Sequence, residues 1–144
     1  MSVARVFVDT GAWFALQVTD DAEHEAARKN LPILLDRCSS LVTSNAVVGE
    51  TYTLLRVTQG YREAKRFLDK IAHSRKLERL FVTEALERQA CEVLERFSDH
   101  AFSFVDATSF ALMRQQKIRH AFAFDAHFST AGFLRIPGDT PNLS

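Results

Sequence analysis

Four acidic side chains carry most of the chemistry this 144-residue sequence can offer. RVFVDTGAW sets Asp9 directly behind an apolar run, FSFVDATSF sets Asp106 behind a shorter one, and AFAFDAHF sets Asp125 behind a third. If these runs are neighbouring parallel strands, the three carboxylates meet at one edge of a sheet. Like charges held that close raise one another's pKa values unless a cation compensates. A hard divalent ion, which takes oxygen ligands, would do so. TSNAVVGETYTLL adds Glu50, which shares its side of a helix with Val47 and Leu54 and is therefore expected to point toward the sheet. Each acid also has a plainer reading. Asp9 and Asp106 stand where a helix N-cap belongs, and Asp125 suits a solvated loop. The residues alone leave both readings open.

The elements that must position these acids can be read from hydrophobic spacing. Apolar runs of strand length occur at Val3 to Val8, Leu41 to Thr43, Leu80 to Val82, Ala121 to Phe124 and Phe133 to Ile136. Helical patterns fall between them. They cover Glu23 to about Arg37, weakened by Pro32; Ala46 to Val57, with Asn45 as its cap and Gly60 as its stop; Tyr61 to His73; Glu84 to Phe97; and Asp106 to Gln116. In the fourth helix Leu86, Ala90, Val93, Leu94 and Phe97 form one apolar side, which must bury itself on a sheet. Apolar strands alternating with amphipathic helices imply an α/β fold, a three-layer α/β/α sandwich with a mostly parallel central sheet. Ligands of such sheets bind at the carboxyl ends of the strands. No repeat or Gly/Ser linker divides the chain, so residues 1–144 are expected to form one domain.

Composition narrows the function classes. The 18 basic and 18 acidic residues cancel, so no global charge announces a nucleic-acid partner. Between Tyr61 and Arg79, however, seven basic side chains (Arg62, Lys65, Arg66, Lys70, Arg75, Lys76, Arg79) face three acidic ones. Such a stretch is either a solvated helix face or a phosphate-binding strip. Cys38 and Cys91 have neither CxxC nor histidine spacing, which argues for two reduced thiols over a zinc site or disulfide. MSVARVFVD has no secretory-signal pattern, and no apolar run reaches membrane-spanning length, so a cytoplasmic protein is expected. Phe7, Phe104, Phe110, Phe122 and Phe124 are read as core. Trp13 and Phe14, on an early helix after Asp9, are read as core or as the wall of an apolar groove for a partner.

The order FVDTGAW, TSNAVVGETYTLL, SFVDATSFALM, AFAFDAHF, together with HEAA at His24 to Ala27, resembles the PIN domain. Within that family it resembles the VapC-type ribonuclease toxins of prokaryotic toxin–antitoxin pairs. The similarity runs from about Val3 to Ile136. It implies a Mg²⁺- or Mn²⁺-dependent endoribonuclease with Asp9, Glu50, Asp106 and Asp125 as its acids. Thr10 would help hold the site, with Asn45 and Ser109 as supporting polar positions. It also implies 5′-phosphate and 3′-hydroxyl products, an RNA substrate, a homodimer, and an antitoxin whose C-terminal tail occupies a groove on the toxin. The family often has Thr or Ser two residues before its last aspartate. This chain has Ala123, so that hydrogen bond is missing or replaced.

Metal-assisted phosphodiester hydrolysis suits these residues, because carboxylates need only hold ions that activate water and offset charge on phosphorus and the leaving oxygen. Asp9 and Asp106 are the expected direct ligands, with Glu50 and Asp125 on a second ion or on water. Histidine is scarce nearby, which favours Mg²⁺ or Mn²⁺ over zinc. His127 and, more remotely, His120 are read either as phosphate or proton-transfer groups or as surface histidines without a role. Setting the four acids aside leaves 18 basic against 14 acidic residues, a surface excess of +4 that suits RNA. Two other uses of the same fold stand beside this one: a housekeeping RNA-processing nuclease without an antitoxin, and a non-catalytic RNA-binding domain. Phosphoryl transfer through Asp9 as nucleophile fits poorly, since Thr10 and Gly11 follow it and no second acid stands two positions on.

Overall fold

A computed structural model describes residues 3–139; Met1, Ser2 and residues 140–144, the two ends of the expected 1–144 domain, lie outside the described residues. In chain order the elements are β1 (Val3–Val8), α1 (Thr10–Gln17), α2 (His24–Arg37), β2 (Cys38–Ser44), α3 (Asn45–Gln59), α4 (Tyr61–His73), β3 (Leu77–Leu80), α5 (Glu84–Arg96), α6 (Phe104–Gln115), β4 (His120–Ala123), α7 (His127–Thr130) and β5 (Leu134–Pro137). The strands form one sheet in the order β3-β2-β1-β4-β5. Every neighbouring pair is parallel. Strand order reverses direction at β1, so the crevice beside its carboxyl end is the switch point where ligands of such sheets bind.

Period-two alternation explains the layers. Phe7, Val42, Ala121 and Ala123 face one side, where they join Leu86, Ala90 and Val93 of α5 and Phe110, Ala111 and Met113 of α6. Val6, Val8, Leu41 and Phe122 face the other, against Ala12 and Ala15 of α1 and Ala27 and Leu34 of α2. A third cluster joins Val48 and Leu55 of α3 to Ala64, Phe67 and Ile71 of α4, with Trp13 and Phe14 against it. The three-layer expectation therefore holds.

Local chemistry accounts for several boundaries. Ser44, not Asn45, caps α3 by accepting from the Val47 N–H at 3.0 Å. Asn45 is the first helical residue, and its Oδ1 accepts from the Val82 N–H at 2.8 Å, pinning the segment after β3. Gly60, at φ 96°, makes the break between α3 and α4 that a side chain would strain. Pro32 does not end α2, which runs through it. Proline there removes one donor, and Ala27 and Leu34 on the buried side hold the helix on the sheet. β3 ends at Leu80 rather than Val82, which leaves Phe81 exposed.

FSFVD departs most from expectation. It is not a strand ending: α6 begins at Phe104, Ser103 is its cap, and Asp106 lies in the first turn. Phe104, read as core, is 47% exposed because it precedes the buried side of that turn. Phe7, Phe110 and Phe122 are buried as expected, and Phe124 is half-buried.

Candidate active site

Two strand ends and two helix starts bring the four acids to one edge of the sheet. Asp9 follows β1, and its backbone N–H donates to the Phe122 carbonyl at 3.1 Å, which joins the ends of β1 and β4. Asp9 occupies the cap position of α1, yet its side chain makes no capping hydrogen bond. Its carboxylate is thus free of the structural duty that a plain cap would perform. Only 5% of Asp9 is exposed. Burial pushes its pKa from 3.8 up to about 7; the Thr10 backbone N–H partly offsets this, and the carboxylates of Asp106, Glu50 and Asp125 push it further up. The other three acids therefore lie close enough for Asp9 to feel their field.

Asp106 is also buried, for a different local reason. Its Oδ2 accepts from the Ser103 N–H at 3.0 Å, while its own N–H donates to Ser103 Oγ at 2.9 Å, a reciprocal capping box. The cap reading of Asp106 is thus half right: it caps from the third helical position, and its carboxylate still faces the site. Ser103 was not anticipated, although the S-x-x-D spacing ahead of an apolar helix carries that signal.

Glu50 corrects an expectation. It lies in the second turn of α3 and is exposed, as is Leu54 at 37%, so this side of the helix flanks the sheet edge instead of covering the sheet. Its Oε2 accepts from the buried Thr10 hydroxyl at 2.8 Å. That hydrogen bond ties the Glu50 carboxylate to the start of α1.

Asp125, exposed beyond β4, accepts at Oδ1 from the His127 N–H at 2.8 Å, an Asx turn. His127 Nδ1 lies 3.3 Å from Asp125 Oδ2 and 3.1 Å from Asp106 Oδ2. Ala123, fully buried at the end of β4, has no hydroxyl to offer; His127 supplies the contacts that steady Asp125. The spacing D-x-H could have signalled this turn, but the ring's second contact depends on α6. His120, by contrast, begins β4 at the far end of the strand, where burial lowers its pKa.

Two features of this edge suit a cation. Among the described residues no Lys or Arg forms an ion pair with any of the four acids. Ser109, fully buried and one turn beyond Asp106 on the same side of α6, has a hydroxyl without a hydrogen-bond partner among the described residues. Buried polar groups are seldom left so. A cluster of carboxylates with spare hydroxyl capacity beside it fits a hydrated, oxygen-bound ion.

Elsewhere, Arg62, Lys65, Arg66 and Lys70 are exposed on α4, and two are engaged locally, Lys65 with Asp69 and Arg66 with Glu63. Cys38 and Cys91 are free; Cys38 is buried, and desolvation pushes its thiol pKa up. Among the described residues no helix is long and apolar enough to cross a membrane.

The PIN domain family matches residues 6–134. VapC20 of Mycobacterium tuberculosis, a 23S rRNA-specific endonuclease, is 43% identical over 131 residues, 91% of this chain and 97% of the relative. A VapC ribonuclease of Archaeoglobus fulgidus is 27% identical over 124 residues, covering 85% of this chain and 78% of its own length. The crystal structure of VapC20, described as a sarcin–ricin loop cleaving toxin, superposes with a TM-score of 0.82 over 90% of this chain and 96% of that one. VapBC2 of Rickettsia felis, bound to a promoter DNA fragment, matches at a TM-score of 0.69 and 12% identity over 91% of this chain and 96% of that one, a likeness of fold.

Proposed function

This chain belongs to the PIN-domain family, among its VapC-type members, and from that premise we propose that it is the ribonuclease toxin of a toxin–antitoxin pair, working with Mg²⁺ or Mn²⁺. The observation that carries the reading is the convergence of four carboxylates without a Lys or Arg partner among the described residues, one of them, Asp9, pushed toward neutrality by burial and by the other three. We read residues 1–144 as one PIN-like domain of a cytoplasmic protein.

A divalent ion bound there would supply Lewis-acid stabilisation of phosphoryl charge and a more acidic water. The chain's own groups divide the remaining work. Asp9 and Asp106, buried and with their backbones fixed, would hold the ion, while Glu50, aimed by Thr10, and Asp125 would hold a second ion or orient water. The +4 excess elsewhere on the chain would attract RNA toward this acidic edge. By its 43% identity to a 23S rRNA-specific endonuclease, the sarcin–ricin loop is the first substrate to try.

An antitoxin tail has a fitting seat in a cavity of about 440 Å³ between α1, α2 and α4. Trp13, Leu16, Leu31, Phe67 and Ile71 supply apolar walls, and Arg28 and Lys70 line it with positive charge. A homodimer completes the reading; exposed Leu54 and Val57, beside Glu50, offer apolar surface for a second copy. Incubating the purified chain with a sarcin–ricin hairpin RNA tests the activity. Cleavage with Mn²⁺ and none with EDTA supports the proposal, and EDTA-insensitive cleavage sinks its metal-dependent part.

A further inference from the structure

Resting on that metal-dependent reading, we propose that His127 is itself a ligand, joining Asp106 and Asp125 in a mixed nitrogen–oxygen site that favours a first-row transition ion over Mg²⁺. One ligand atom from each of the three residues lies within 4.8 Å of the other two. Cis ligands held about 2.1 Å from an octahedral ion stand about 3 Å apart. His127 Nδ1 stands 3.1 Å from Asp106 Oδ2 and 3.3 Å from Asp125 Oδ2. The two edges that meet at the ring nitrogen already have the length expected in one face of a coordination shell.

Each donor is also held in place from behind. Asp106 Oδ2 is fixed by the Ser103 N–H at 3.0 Å, and Asp125 Oδ1 by the His127 N–H at 2.8 Å, which leaves Asp125 Oδ2 turned to the ring. The imidazole meets Phe102 edge to face at 5.0 Å, and Phe102 is itself buried against Phe97 and Phe110. Such outer contacts orient ligands and raise affinity. The site then has unequal halves: Asp9 and Glu50 offer oxygen alone, whereas the Asp106 side offers a nitrogen. Imidazole suits borderline transition ions, while Mg²⁺ keeps to oxygen and water.

The same distances would serve a protonated His127 paired with two carboxylates, and the two arrangements predict opposite effects of removing the ring. An imidazolium competes with the ion, so its loss tightens binding of any divalent cation. A ligand's loss weakens binding, and more for a transition ion than for Mg²⁺.

Pulsed electron paramagnetic resonance of the full chain with Mn²⁺ reads nitrogen coupling directly, and calorimetric titration with Mn²⁺ and Mg²⁺ reads preference. The expected result is ¹⁴N coupling that vanishes in His127→Ala and survives in His100→Ala. The first variant should also lose about tenfold or more in Mn²⁺ affinity, with a smaller change for Mg²⁺. Mn²⁺ bound without nitrogen coupling, or His127→Ala binding either ion as tightly as the parent or tighter, overturns the inference and leaves the metal-dependent reading standing. A chain that binds neither ion overturns both. The measurement on the unmodified chain stands even if a variant misfolds.

Discussion

The Thr10 hydroxyl donates to Glu50 Oε2 across 2.8 Å, tying the first turn of α1 to the second turn of α3, 40 positions away in the chain. One hydrogen bond thereby aims an exposed arm of the acidic cluster. Thr10→Val keeps the shape and removes the donor. Cleavage should fall about tenfold while stability changes by only about 1 kcal/mol, the usual net worth of one hydrogen bond. Thr10→Ser should restore cleavage. Equal rates for all three proteins would show that Glu50 needs no such aim.

Asp9 makes stability depend on pH. Its folded pKa of about 7 lies above its ordinary 3.8, so the fold favours the protonated carboxyl. That contribution is complete below about pH 4 and is lost as pH rises through about 7, at roughly 1.4 kcal/mol per pH unit. In EDTA, denaturant titrations should show the parent losing stability relative to Asp9→Asn across this window. Added Mn²⁺, which binds the ionised form, should reverse the loss at pH 7 for the parent alone. Parallel pH profiles for parent and variant in EDTA would refute the assignment.

Ser103→Ala breaks the reciprocal cap at the start of α6. Stability should drop by about 1 kcal/mol, the usual cost of losing a helix cap. Cleavage should fall too, since the Asp106 backbone loses its anchor. Ser103→Thr should retain both, and urea unfolding alongside rate measurements checks this.

Phe110→Ala tests the core beneath the site. Its ring meets Phe102, Phe128 and Phe133 at centroid distances of 5.1, 4.9 and 5.7 Å. The cavity left behind should cost about 3 to 5 kcal/mol, a large share of an ordinary domain's stability. Calorimetry should show a melting point lowered by several degrees or no cooperative transition. An unchanged melting point would contradict the packing described.

Much of this was legible in the sequence because the fold obeys local periodicity. Apolar runs marked all five strands to within a few residues, and the helical spacing of Leu86, Ala90 and Val93 announced a buried side that the structure contains. Asp9 and Asp125 could be found as strand endings for the same reason. Asp106 could not be placed that way: FSFV is apolar like a strand, but the Ser103 cap starts a helix there, and that competing local bond decided the outcome. Glu50 was assigned to the right helix and the wrong exposure, because its helix leaves the sheet edge where the spacing argument assumes continuous cover. His127 was legible as a histidine near the last acid, but its contact with Asp106 joins residues 21 positions apart, and no local pattern encodes it.

In the proposed reaction the four acids act together, through a divalent ion, on RNA. Primer extension across the sarcin–ricin loop, after incubating ribosomes with the parent protein or with folded Asp106→Asn in Mn²⁺, tests it most directly. One discrete stop is expected with the parent, abolished by EDTA and weakened on the order of 100-fold or more in the variant. Equal cleavage by parent and variant would contradict it.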